Sequence, residues 1–105
     1  MVCYTRYVAE VLFDHKHEED NGDLVEIRIY KVPISQERPQ GVLYSCVYVR
    51  EGKRLIAYDN YGEHGPFNHH RHIKDHIGSY GFIDIWKLLQ DFNEDVQKIK
   101  QGIIK

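Results

Sequence analysis

The stretch Leu24-Val25-Glu26-Ile27-Arg28-Ile29-Tyr30-Lys31-Val32 sets Val25, Ile27 and Ile29 at one parity and Glu26 and Arg28 at the other. Successive side chains leave a pleated backbone on opposite sides, so a period of two marks a strand with one buried and one wet face. A strand over 24–32, closed by Pro33, is predicted, and with it a sheet with one apolar face. Before it, Val2 to Phe13 is rich in tyrosine and valine and free of helix breakers, which predicts a strand over about 2–13. The polar decapeptide from Asp14 to Asp23 reads as the turn or loose hairpin loop between the two. After it, Ser35 to Gly41 is a loop by composition, and Val42 to Arg50 is again β-rich. Glu51-Gly52 signals a tight turn, and Lys53 to Asn60 returns antiparallel to the preceding strand. Four strands, at about 2–13, 24–32, 42–50 and 53–60, thus form an antiparallel meander.

Beyond residue 80 the period changes. Ile85, Leu88, Leu89, Phe92, Val96 and Ile99 fall on one helical stripe, with Lys87, Gln90, Asp91, Asn93, Glu94 and Lys98 between them. Asp84 is the expected N-cap, Gly102 the expected stop, and Lys98 and Lys100 are cations suited to the last turn. The helix spans about 84–101, and its apolar stripe has only the sheet to pack on. The expected fold class is α+β: a four-stranded antiparallel meander sheet with a C-terminal amphipathic helix packed on one face. Residues 61–80 remain as a His-rich loop between the last strand and the helix, within a single α+β domain over 1–105.

Composition limits what this loop is attached to. A chain of 105 residues with 42% hydrophobic content supports one core, burying roughly two-thirds of its extended surface. No apolar stretch approaches the ~20 residues of a membrane span, and Met1 to Arg6 shows no signal peptide. No membrane partner and a cytoplasmic setting are expected, with Cys3 and Cys46 read as reduced, small hydrophobes. The formal net charge is -2 with neutral histidines, and protonating all seven takes it to +5. Overall charge therefore gives no argument for nucleic-acid binding, which would rest on the local patch from Arg71 to His76.

Five of the seven histidines fall between His64 and His76, interleaved with Arg71, Lys74 and Asp75. Imidazoles titrate near neutral pH, and cations beside them favour an anionic substrate. Metal-free RNA cleavage needs a base for the 2′-hydroxyl, an acid for the leaving 5′-oxygen and cations for the phosphorane. His70 and His72 are the candidate acid and base, since their i,i+2 spacing puts them on one face of an extended segment. Arg71 or Lys74 is the candidate phosphate clamp and Asp59 the carboxylate that orients an imidazole. Tyr58, Asn60 and His69 complete the candidate substrate-binding set, with Tyr58 stacking on a base. Asp59-Asn60 equally suits a strand-ending turn.

This chemistry requires no cofactor. In the alternative, His70, His72 and His76 form an H-x-H-x3-H set completed by Asp59 or Asp75, able to hold a divalent metal such as zinc. Tyr44 and Tyr48 are read as lining the sheet face away from the helix, as an interface to a partner protein or a homodimer contact. The competing function is then a non-catalytic metal- or partner-binding homo-oligomer.

Tyr58-Asp59-Asn60, a spacer containing Gly, His and Pro, then Phe67-Asn68-His69-His70-Arg71-His72 and a short acidic-hydrophobic helix resemble the TumE-like family. In that family a Tyr-Asp-Asn element precedes a Phe-Pro-His-His-Lys-His-like stretch; here Asn68 stands where proline is usual and Arg71 where lysine is usual. The resemblance covers roughly residues 53–100. It implies the toxin component of a type II toxin–antitoxin pair, neutralised by a cognate antitoxin protein, with RNA as the target that the histidine chemistry suits.

Overall fold

The computed structural model describes residues 2–4, 7–61 and 69–104. Seven strands, β1 (Val2–Tyr4), β2 (Tyr7–Glu18), β3 (Leu24–Lys31), β4 (Val42–Arg50), β5 (Lys53–Asp59), β6 (His70–Ile73) and β7 (His76–Ser79), precede helix α1 (Ile85–Lys100). Each strand pairs antiparallel with the next, so spatial order follows chain order. β2 to β7 form a six-stranded meander, extended at one edge by the short β1. The α+β class and the helix on the sheet are as the sequence predicts; the strand count is larger.

The expected single strand over 2–13 is two, β1 and β2, paired antiparallel with Tyr4 opposite Tyr7, and two further segments depart from the prediction. The polar stretch from Asp14, expected as a turn, instead carries β2 on to Glu18, paired with Leu24. This strand is wet on both faces from Glu10 to Glu18, so burial selects no alternation there. The turn begins only at Glu19, whose carbonyl accepts from Gly22 N at 2.9 Å. Second, the expected loop 61–80 contains the β6–β7 hairpin, turning at Lys74-Asp75 with Lys74 at φ 54°. The Lys74 N–H donates to the Leu55 carbonyl of β5 at 2.8 Å, tying the turn to the neighbouring strand.

The helix keeps to its predicted signals. Asp84 Oδ1 accepts from Lys87 N at 2.8 Å, and Gly102 at φ 74° ends the helix. Beyond the last turn, Gly102 N donates to Ile99 O and Ile103 N to Lys98 O, a paired C-terminal closure. Leu88, Phe92, Val96 and Ile99 meet Ile27, Ile29, Tyr44, Cys46, Tyr48, Ile56 and Tyr58 in one core. Burial of the Cys46 thiol there pushes its pKa to about 12, so it acts as a small hydrophobe.

Tyr44 and Tyr48 are fully buried beneath the helix, which corrects their assignment to an exposed sheet face. On the other side of the sheet a smaller cluster joins Ala9, Tyr30, Val32 and Leu43. Trp86 departs from the apolar stripe and is 74% exposed.

Candidate functional site

Alternation along β5 and β6 sorts the predicted site residues between two faces. Tyr58 pairs with Arg71 and Asp59 with His70 across the strands. Tyr58, Arg71, Ile73 and His69 lie on the helix side; Asp59, His70 and His72 lie on the other. The set is therefore split, and each half has its own chemistry.

On the side away from the helix, Asp59 joins two imidazoles. Its Oδ1 is 3.1 Å from His70 Nδ1 and its Oδ2 3.3 Å from His72 Nε2. A carboxylate accepts only, so both rings direct an N–H at it. The other nitrogen of His72, Nδ1, lies 3.2 Å from Arg54 Nη2. Guanidinium donates only, so Nδ1 holds a lone pair and the ring is neutral. Burial, then the positive charge of Arg54, hold the His72 pKa below the ordinary imidazole value against the pull of Asp59. His70 is fully buried, whereas the His72 and Asp59 side chains keep 13% and 17% of their surface open. His72 is thus the member that a solute can reach, and His70 the member that fixes the carboxylate.

On the helix side, Arg71 is engaged elsewhere. Its Nε and Nη2 donate to Asp95 Oδ2 and Oδ1 at 2.8 and 2.7 Å, a two-pronged pair with a carboxylate 3% exposed. Tyr58 Oη donates to the same Asp95 at 2.5 Å, beneath the Arg71 guanidinium. Desolvation first, then that hydrogen bond, raise the phenol pKa far above its ordinary range. Arg71 and Tyr58 therefore belong to a core network and do not face Asp59. No local pattern marks Asp95 as the partner, since the pair forms only through the packing of α1.

The remaining candidates resolve as follows. Asn60 is 3% exposed; its Oδ1 accepts from Tyr44 N at 2.9 Å and its Nδ2 donates to Val42 O at 2.8 Å. It continues the β4–β5 ladder by a side chain, which makes it architectural. His69 Nδ1 accepts from Tyr44 Oη at 2.8 Å, its Nε2 donates to Gln40 Oε1 at 3.1 Å, and its ring stacks on Phe82. Lys74 sits at the hairpin turn, at the far end of β6 from His70. His76 pairs with Ile73 and so projects to the helix side, away from His70 and His72. The proposed metal set of His70, His72 and His76 is thereby broken; no metal-holding group of three occurs among the described residues. His64, Phe67 and Asn68 lie outside the described residues. Arg54 was missed because an exposed arginine next to a turn looks like ordinary surface until strand pairing brings it to His72.

These imidazoles give a pH signature. Burial also lowers the pKa of His69, ahead of the charges of His70 and Arg38. With folded pKa values of His69 and His72 below their unfolded ones, the unfolded chain binds more protons as pH falls through about 6.5. Stability is thus fully present above that pH and declines below it. The urea midpoint is expected to drop between pH 7.5 and 5.5, and less so in the His69→Gln/His72→Gln double variant. A midpoint that rises on acidification contradicts this.

The fold and site define a small α+β protein carrying a carboxylate-bridged histidine pair on the side of its sheet away from the helix, beside an arginine. A family model described as "Toxin TumE" matches residues 6–100, and the chain belongs to the TumE toxin family. Membership in a toxin family implies a cognate antitoxin. Comparison with curated proteins and with solved structures gives no match. No helix among the described residues is long and apolar enough to cross a membrane.

Proposed function

We propose that the chain is the toxin of a type II toxin–antitoxin pair and cleaves RNA in the cytoplasm at the Asp59-bridged histidine pair. The observation carrying this reading is that Asp59 and Arg54 together compel His72 to be neutral, with the Nδ1 lone pair directed to the guanidinium. An incoming phosphodiester draws Arg54 onto its non-bridging oxygens and frees Nδ1. His72 then takes the 2′-hydroxyl proton, the 2′-oxygen attacks phosphorus, and the P–O5′ bond breaks. The 5′-oxygen leaves with a proton from water, and the hydroxide so formed takes the proton back from the His72 imidazolium, giving a 2′,3′-cyclic phosphate, a 5′-hydroxyl and the neutral base. Asp59 stabilises the imidazolium formed in the step, and His70 positions Asp59. Arg54 takes the clamp role first expected of Arg71.

The test is RNA cleavage by the purified chain, followed on denaturing gels with end-group analysis, beside growth on induction with and without the antitoxin. His72→Ala is expected to slow cleavage at least about a hundredfold and to abolish toxicity. Arg54→Ala is expected to lower kcat/KM about tenfold or more. Intact RNA under wild-type chain, or full toxicity of His72→Ala, overturns the proposal.

A further inference from the structure

From Glu10 to Glu18, β2 pairs only with β3 among the described residues, because β1 reaches no further than Ala9. Every residue of that stretch is exposed, including Val11, Leu12 and Phe13 at 41, 41 and 39%. A nine-residue edge of this kind offers a row of main-chain groups to another strand, a liability that proteins ordinarily blunt. We propose that a second copy of this chain covers it, β2 against β2 about a two-fold axis, joining two sheets into one.

The backbone sets which residues face outward. Glu19 N donates to Asp23 O at 2.7 Å, which makes 19 and 23 a hydrogen-bonded pair next to the turn. Alternation back along the ladder gives Phe13, His15 and His17 to β3 and turns the main chain of Asp14, Lys16 and Glu18 to the free edge. An antiparallel self-pair must then match even positions with even ones. Centred on Asp14, it sets that carboxylate against itself; centred on Lys16, it sets lysine against lysine and Asp14 against Glu18. Centred on His15, it places Asp14 opposite Lys16 of the second copy, twice over, with Phe13 opposite His17 on the other face. Charge thus favours the His15-centred register over its two neighbours, and aromatic rings also meet in it. Lys16, which alone would discourage pairing, is neutralised across the axis. Asp14 also lies 3.8 Å from Arg28, an exposed pair too weak to withhold it.

Sedimentation velocity on the full chain tests this. The wild type is expected to dimerise, and Lys16→Glu and Asp14→Lys are each expected to weaken the dimer at least about tenfold, since each sets like charges opposite. Mixed one to one, these two variants regain complementary pairs and are expected to form a heterodimer. Unchanged thermal midpoints confirm that each variant is folded. Should a midpoint fall, the swap Asp14→Lys/Lys16→Asp, which restores both pairs within one chain, is expected to dimerise like the wild type. A monomeric wild type, a dimer indifferent to Lys16→Glu, or folded variants that stay apart on mixing overturns the proposal.

Discussion

Asp95→Ala is expected to destabilise the fold by about 2 kcal/mol, lowering the thermal midpoint by roughly 8 °C, the largest effect of any single polar change considered. Asp95 is 2% exposed and receives Tyr58 Oη together with both prongs of Arg71. Removing it leaves the buried Tyr58 phenol with only a long contact to the Asp91 carbonyl, at 3.5 Å, and the Arg71 guanidinium without its counter-charge, at the contact between α1 and the sheet. The cost lies in stranding the partners rather than in the pair itself, because bringing two charges out of water offsets most of their attraction. Replacing the pair by apolar side chains, Arg71→Met with Asp95→Leu, is accordingly expected to cost less than Asp95→Ala. Urea and thermal unfolding of the three chains decide the matter. A loss below about 1 kcal/mol for Asp95→Ala would show that the network contributes little.

Asp59→Asn is expected to reduce RNA cleavage about a thousandfold while leaving the fold near its original stability. Asparagine offers one acceptor and one donor, whereas the two imidazoles present an N–H each. One ring must therefore exchange its proton between nitrogens or turn away. If that ring is His72, Nδ1 gains a proton and loses the lone pair the base needs. If it is His70, the bridge is distorted from the buried side. In either case the negative charge that stabilises the imidazolium of the reacting state is gone. Cleavage within a factor of ten of wild type would remove Asp59 from the mechanism, whereas an inactive but folded Asn variant separates its chemical role from an architectural one.

How far these features can be read in the residues depends on what each segment buries. β3 and α1 each bury one regular stripe, so their periods of two and 3.6 stand out, and Asp84 and Gly102 mark the helix ends. β6 carries His70, Arg71, His72 and Ile73, and both of its faces hold polar groups, so no alternation in hydropathy betrays the strand. Its turn, Lys74-Asp75, lacks the glycine that flags most tight hairpins. His70 and His72 are legible as a pair because they share parity once the segment is extended, and Asp59 joins them through the β5–β6 register that sets it opposite His70. The separation of Arg71 from them follows from that same parity, but its engagement with Asp95, 24 residues away, depends on helix packing. Tyr44 and Tyr48 lie under the helix and not on the open face expected of them, because strand alternation identifies residues that share a face without saying which face the helix covers.

The strict sequence order of the strands bears on synthesis. Each hairpin can close soon after its own residues leave the ribosome, so the sheet grows by short-range additions. The roof over Tyr44, Tyr48 and Tyr58 comes last, since it is made from Leu88 to Ile99. A nascent chain halted before that point displays a greasy aromatic surface, which chaperones bind readily.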